Sequence, residues 1–87
     1  MSYYSHSLKT FKKIIKKNFP KTKKKEGLRN IPSHLLWMLD EIGKMKNDPG
    51  KAGRWLGYVI GRLEALKLLN NKKSRSIVKE DVSRKFD

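Results

Sequence analysis

The sequence predicts an all-α chain: a glycine-lined helical hairpin, a short C-terminal helix, and an N-terminal basic amphipathic helix with a flexible linker. Three observations predict it. Apolar residues recur every three or four positions along successive stretches, the helical period. Pro20 and the run Asn47-Asp48-Pro49-Gly50 break those stretches where helices must stop and restart. The charge is lopsided: residues 1–30 carry ten Lys or Arg against one acid, Glu26, while residues 31–87 carry twelve bases and seven acids. Residues 1–30 therefore read as a basic arm, and residues 31–87 as a small helical domain.

In the arm, residues 1–7 are expected to be loose. Leu8, Phe11, Ile15 and Phe19 follow helical spacing with Ile14 beside them, and lysines fill the other positions. This predicts an amphipathic helix over about residues 8–19, capped by Ser7. Pro20 stops it, because the proline ring disfavours a helical conformation at Phe19. Residues 20–30 form a basic linker with no apolar repeat, extended or disordered when free.

The domain opens with a helix of roughly residues 33–47, capped by Ser33 or by Asn30 with Pro32 in its first turn. Leu35, Met38, Leu39, Ile42 and Met45 form its apolar stripe, with Leu36 at the border. Trp37 falls on the polar side with Asp40, Glu41 and Lys44, so its ring is either covered by another segment or offered to a partner. Asp48 caps the next helix and Pro49 fits its first position, where no amide donor is needed. That helix, with Ala52, Trp55, Leu56, Val59, Leu63 and Leu66 as its apolar stripe, runs to about Leu69 and closes at Asn70-Asn71, since asparagine tolerates the left-handed conformation. Val78, Val82 and Phe86 then repeat at four-residue spacing in a short last helix capped by Ser74 or Ser76.

Gly53, Gly57 and Gly61 lie on one line of the second hairpin helix. Each interior glycine costs about 1 kcal/mol relative to alanine. Such a line serves close backbone approach, either to the first hairpin helix or to a second copy in a homodimer. These three are the helix-packing candidates.

Composition excludes more than it assigns. The chain has no cysteine, so neither a disulfide framework nor a thiolate metal site supports the core. The N-terminal apolar residues are separated by lysines and form no secretory signal, and no stretch approaches a membrane span. A cytoplasmic location is expected. Two histidines, His6 and His34, and the adjacent acids Asp40-Glu41 and Glu80-Asp81 form no facing carboxylate pair or metal-ligand spacing. The glycines make no phosphate loop. No catalytic residue, cofactor or metal is expected, and the reading is not an enzyme.

A net charge of +14 attracts polyanions. DNA or RNA, alone or in a ribonucleoprotein, is the favoured partner, with Lys12, Lys13, Lys16, Lys17, Lys23, Lys24, Lys25 and Arg29 as phosphate contacts. Six to eight such contacts would give log K a slope of roughly −5 to −7 against log salt. The same helix also fits an acidic protein surface, a membrane surface, or its own core with only the lysines in water. Trp37, Arg54, Tyr58 and Arg62 have the composition of a protein-interaction hot spot. Alternatively, the two arginines pair with Asp40, Glu41 or Glu64 and the aromatics cap the core.

Leu35-Leu36-Trp37-Met38…Glu41-Ile42 and Arg54-Trp55-Leu56-Gly57…Gly61-Arg62-Leu63 resemble a group of small tailed-bacteriophage proteins that share an "LLWM…EI" helix and an "RWLG…G.L" helix. The resemblance covers about residues 33–70. It implies a viral origin, a host-directed accessory role and the host cell cytoplasm as location. It implies no biochemical activity, and the lysine-rich arm is outside the shared pattern. The alternative function is a protein-binding inhibitor or adaptor of a host complex that makes no nucleic-acid contact.

Overall fold

The computed structural model describes residues 3–27 and 30–85, with side chains to residue 81. Its elements are four α-helices: α1 (Ser5–Asn18), α2 (Ile31–Lys44), α3 (Pro49–Ala65) and α4 (Asn71–Lys85). The all-α class is as expected. The packing order is not the chain order: α1 packs against both α4 and α2, and α2 packs against α3.

The expected arm is therefore part of the folded body. Phe11 and Ile15 have no exposed surface and Leu8 is buried with them, in one cluster with Leu35, Leu39 and Ile42 of α2 and Val59 and Leu63 of α3. Burying a side chain of this size stabilises by about 1.5–3 kcal/mol. The separate arm expected before residue 31 gives way to docking of this helix on the chain's own core. The linker is also held. Lys25 N–H donates to the Ser33 carbonyl (3.1 Å) and Thr22 N–H to the Phe19 carbonyl (3.0 Å).

The start of α1 corrects a second expectation. Ser7 is not the cap but a fully buried residue inside the helix. Tyr4 occupies the cap position in the left-handed region (φ 59°) and its side chain makes no capping bond. The cap comes from α4: the Asp81 carboxylate accepts from the backbone N–H of His6 (2.9 Å) and of Ser7 (2.8 Å), and from the Ser7 hydroxyl. A carboxylate at a helix N-terminus also meets the positive end of the helix dipole. Its neighbour Glu80 pairs with His6 Nε2 at 2.6 Å. Tyr3 and Tyr4, expected to be loose, pack on the core, and the Tyr3 hydroxyl donates to the Lys46 carbonyl (2.7 Å).

In α2 the cap is Asn30, whose side chain accepts from Ser33 N–H (3.2 Å), and the helix begins two residues before Ser33. Asp48 caps α3 as expected, through Lys51 N–H (2.9 Å). The end of α3 differs. The helix closes at Ala65, and Lys67 takes the left-handed conformation (φ 61°). Leu68 N–H donates to the Leu63 carbonyl and Lys67 N–H to the Glu64 carbonyl, both at 3.0 Å. This is a Schellman closure with lysine in place of the usual glycine. It returns the chain so that Leu69 enters the core while Leu66, expected on the stripe, stays exposed. Asn70 then caps α4 instead of closing α3: its side chain accepts from Lys73 N–H (2.8 Å). Ser74 is interior and buried, its hydroxyl on Glu64 (3.1 Å). Ile77 is the buried apolar residue of α4 and Val78 is half-buried; the Val82 side chain and Phe86 lie outside the described residues.

The glycine line does not pack against α2. A methyl group at Gly57 or Gly61 would meet nothing within 4 Å, and one at Gly53 would make only ordinary contact with the Tyr4 hydroxyl (3.5 Å). The hairpin is thus held by Ala52, Leu56, Val59 and Leu63, on another side of α3.

Two predictions follow from this packing. Asp81→Ala leaves two amides and a buried hydroxyl without their acceptor, and is expected to cost about 2 kcal/mol in urea unfolding. Gly57→Ala and Gly61→Ala are each expected to stabilise the chain by about 1 kcal/mol in the same assay, because the helix gains propensity and the added methyl has space.

Candidate nucleic-acid interface

Burial of one side of α1 directs the opposite side to solvent. Lys9, Lys13, Lys16 and Lys17 are exposed there, and Lys21, Lys23 and Lys25 continue the exposed series in the linker. Successive turns of such a face advance by about 5.4 Å. The eight predicted phosphate contacts are not equivalent, however. Lys12 and Lys24 converge on Asp40 of α2, at 2.8 and 2.6 Å. Lys16 donates to the Thr22 carbonyl (3.0 Å). Lys13, Lys17, Lys23 and Lys25 project outward, and Arg29 lies outside the described residues.

Asp40 ties the linker and α1 to α2. The hydrogen bonds from Lys12 and then Lys24 lower its pKa to about 2. The hydrogen bond to Asp40 likewise raises the pKa of Lys24. Side-chain exposures of 30% for Asp40, 39% for Lys12 and 52% for Lys24 leave this cluster open to solvent screening, which limits its contribution to stability.

A second surface lies across α2 and α3. His34 stacks on Trp37 with ring centres 5.6 Å apart and planes at 21°. Its other neighbour is Tyr58, met edge-on at 6.4 Å. Trp37 also contacts Trp55 at 5.9 Å. Lys51 Nζ lies 5.2 Å from the Trp55 ring centre, and the Arg62 guanidinium 5.3 Å from that of Tyr58. Arg62 Nε also donates to the Tyr58 hydroxyl (3.0 Å). The four residues singled out from sequence, Trp37, Arg54, Tyr58 and Arg62, thus belong to one face. None of the ion pairs among the described residues uses Arg54 or Arg62, so the acid-pairing alternative is not the arrangement found.

Two members were missed by sequence reasoning. His34 stands in the first turn of α2, and Trp55 falls on the apolar stripe of α3. Both are half-buried and both join the aromatic face. A signal was present: His34 and Trp37, and Trp55 and Tyr58, are two aromatic pairs at i, i+3, one on each helix of the hairpin.

The two surfaces meet at His34. Gly27 N–H, from the basic linker, donates to His34 Nδ1 (3.1 Å), and Lys25 is bonded through its amide to Ser33 beside it. The backbone of the linker therefore borders the aromatic cluster at His34. Among the described residues, no group of three or more His, Asp or Glu side chains gathers as a metal ion would require, and no helix is long and apolar enough to cross a membrane.

The lowered pKa of Asp40 sets a pH dependence. Its stabilising contribution is complete above the ordinary carboxylate value near pH 4 and is lost as pH falls toward about 2. Asp40→Asn is expected to cost about 1 kcal/mol or less at neutral pH, a difference from wild type that disappears through this window and shrinks with added salt. Urea unfolding at pH 7 and pH 2 checks it. No protein-family model matches the chain, and no curated protein or solved structure matches it either.

Proposed function

We propose that this protein is a noncatalytic nucleic-acid- or ribonucleoprotein-binding accessory protein, phage-encoded and directed at host machinery. The observation that carries the reading is the exposed lysine face of α1, fixed on a folded body and continued by the linker. A helix docked through its apolar side presents its lysines without a backbone ordering cost at each encounter. Lysine is a point charge that reads no base, so this face supplies affinity and leaves sequence selection to other contacts. The reading narrows the contact set to residues outside the Asp40 cluster, principally Lys13, Lys17, Lys23 and Lys25.

A second reading, an inhibitor or adaptor that docks on a host protein without nucleic acid, is favoured by the Trp37, Arg54, Tyr58 and Arg62 surface, whose composition suits a protein hot spot. The two differ in what charge removal does. Under the first, replacing Lys13, Lys17, Lys23 and Lys25 together by glutamine is expected to weaken binding to a short DNA duplex by about ten-fold or more. The salt slope should fall in magnitude by about three. The reading fails if the variant binds the duplex like wild type, or if the wild type binds no nucleic acid at low salt.

A further inference from the structure

We infer that the depression between α2 and α3 receives an unpaired nucleobase, so that the protein prefers single-stranded to duplex nucleic acid. The inference rests on the nucleic-acid reading above and adds a second kind of contact to it.

The depression has a volume of about 550 Å³ and is lined by His34, Met38, Arg54, Trp55 and Tyr58. It is shallow and open to solvent, a platform rather than an enclosed cavity. Three of its five lining side chains are flat rings, and a fourth, Met38, is a buried thioether. None is acidic. Every nucleobase has a π face, and stacking on aromatic side chains is the contact that tolerates any base.

The rings are braced before any ligand arrives. His34 is held from behind by Trp37 and from its imidazole nitrogen by the Gly27 amide. Tyr58 is fixed by the Arg62 bond to its hydroxyl while keeping 37% of its surface exposed. A platform already ordered loses little entropy on binding.

Charge selects the occupant. Lys51 lies over the Trp55 ring, Arg62 lies over the Tyr58 ring, and Arg54 lines the depression, so the cations around the rings favour an occupant that carries negative charge beside its base. The linker meets His34 through the Gly27 amide, and its Lys23 and Lys25 are exposed. A strand following the lysines of α1 and the linker therefore arrives at the rings. A paired base in a duplex is stacked on both faces and offers only its edge, so a duplex engages the lysines and not the depression.

The chain carries its own reporter, since both of its tryptophans, Trp37 and Trp55, belong to this cluster. The experiment uses the full chain with four probes of about ten nucleotides: oligodeoxythymidine, oligouridine, an abasic deoxyribose-phosphate strand and a DNA duplex. Tryptophan emission and anisotropy are read together. The two strands with bases are expected to quench emission. The abasic strand and the duplex are expected to bind through charge and leave emission unchanged. Tyr58→Ala is expected to weaken binding of oligodeoxythymidine about five-fold or more and to change duplex binding by less than about two-fold. Quenching by one of the two base-bearing strands alone still supports a base site and identifies its sugar. Equal binding of all four probes with unchanged emission overturns the inference and leaves the lysine reading standing. Absence of binding by every probe overturns both.

Discussion

Everything in this molecule depends on the burial of one side of α1. Phe11 and Ile15 are fully enclosed, and they lie on the helix that packs against both α2 and α4. In a chain this short the core has little apolar area to spare, and total stabilities of small domains are a few kcal/mol to about 15. Removing two of the largest enclosed side chains would take away a comparable amount. The lysine-rich segment is therefore the structural centre of the protein and, on its other side, its most basic face.

That double use explains the position of the acids. Only eight acidic residues serve a chain of net charge +14, and several of them hold segments together. Asp81 caps α1 from α4, Glu80 pairs with His6, and Asp40 gathers Lys12 and Lys24. Glu64 accepts from Ser74 across the turn between α3 and α4. Each contact joins elements distant in sequence or closes a turn. The remaining lysines among the described side chains stay outward, where mutual repulsion costs least and a polyanion can reach them.

Local chemistry was legible in the sequence where it acts over a few residues. The apolar stripes of α1, α2 and α3, the Asp48 cap with Pro49 behind it, and the stop at Pro20 all follow from spacing and backbone constraints. What escaped was tertiary. A carboxylate 74 residues away caps the Ser7 amide, and no local rule points to it. Lys67 closes α3 in a conformation that glycine or asparagine usually takes, so the signal at Asn70-Asn71 marked the next helix start instead. The glycine line suggested close approach to α2 or to a second copy; within the chain Gly57 and Gly61 face open space, so the approach to α2 is not made. At the candidate site, the arginines, Trp37 and Tyr58 stood out by composition. His34 and Trp55 did not, because a histidine in a first turn and a tryptophan on an apolar stripe both have ordinary structural uses.

The most direct measurement of the central claim is native-state amide exchange of the free protein, read residue by residue. Amides in the middle of α1, around Phe11 to Ile15, are expected to exchange only through global unfolding, with the same protection as the middle of α2. Exchange of those α1 amides at rates near those of an unstructured peptide, with α2 and α3 still protected, would contradict the account. It would mean that residues 1–30 are a detachable arm on a domain that folds without them.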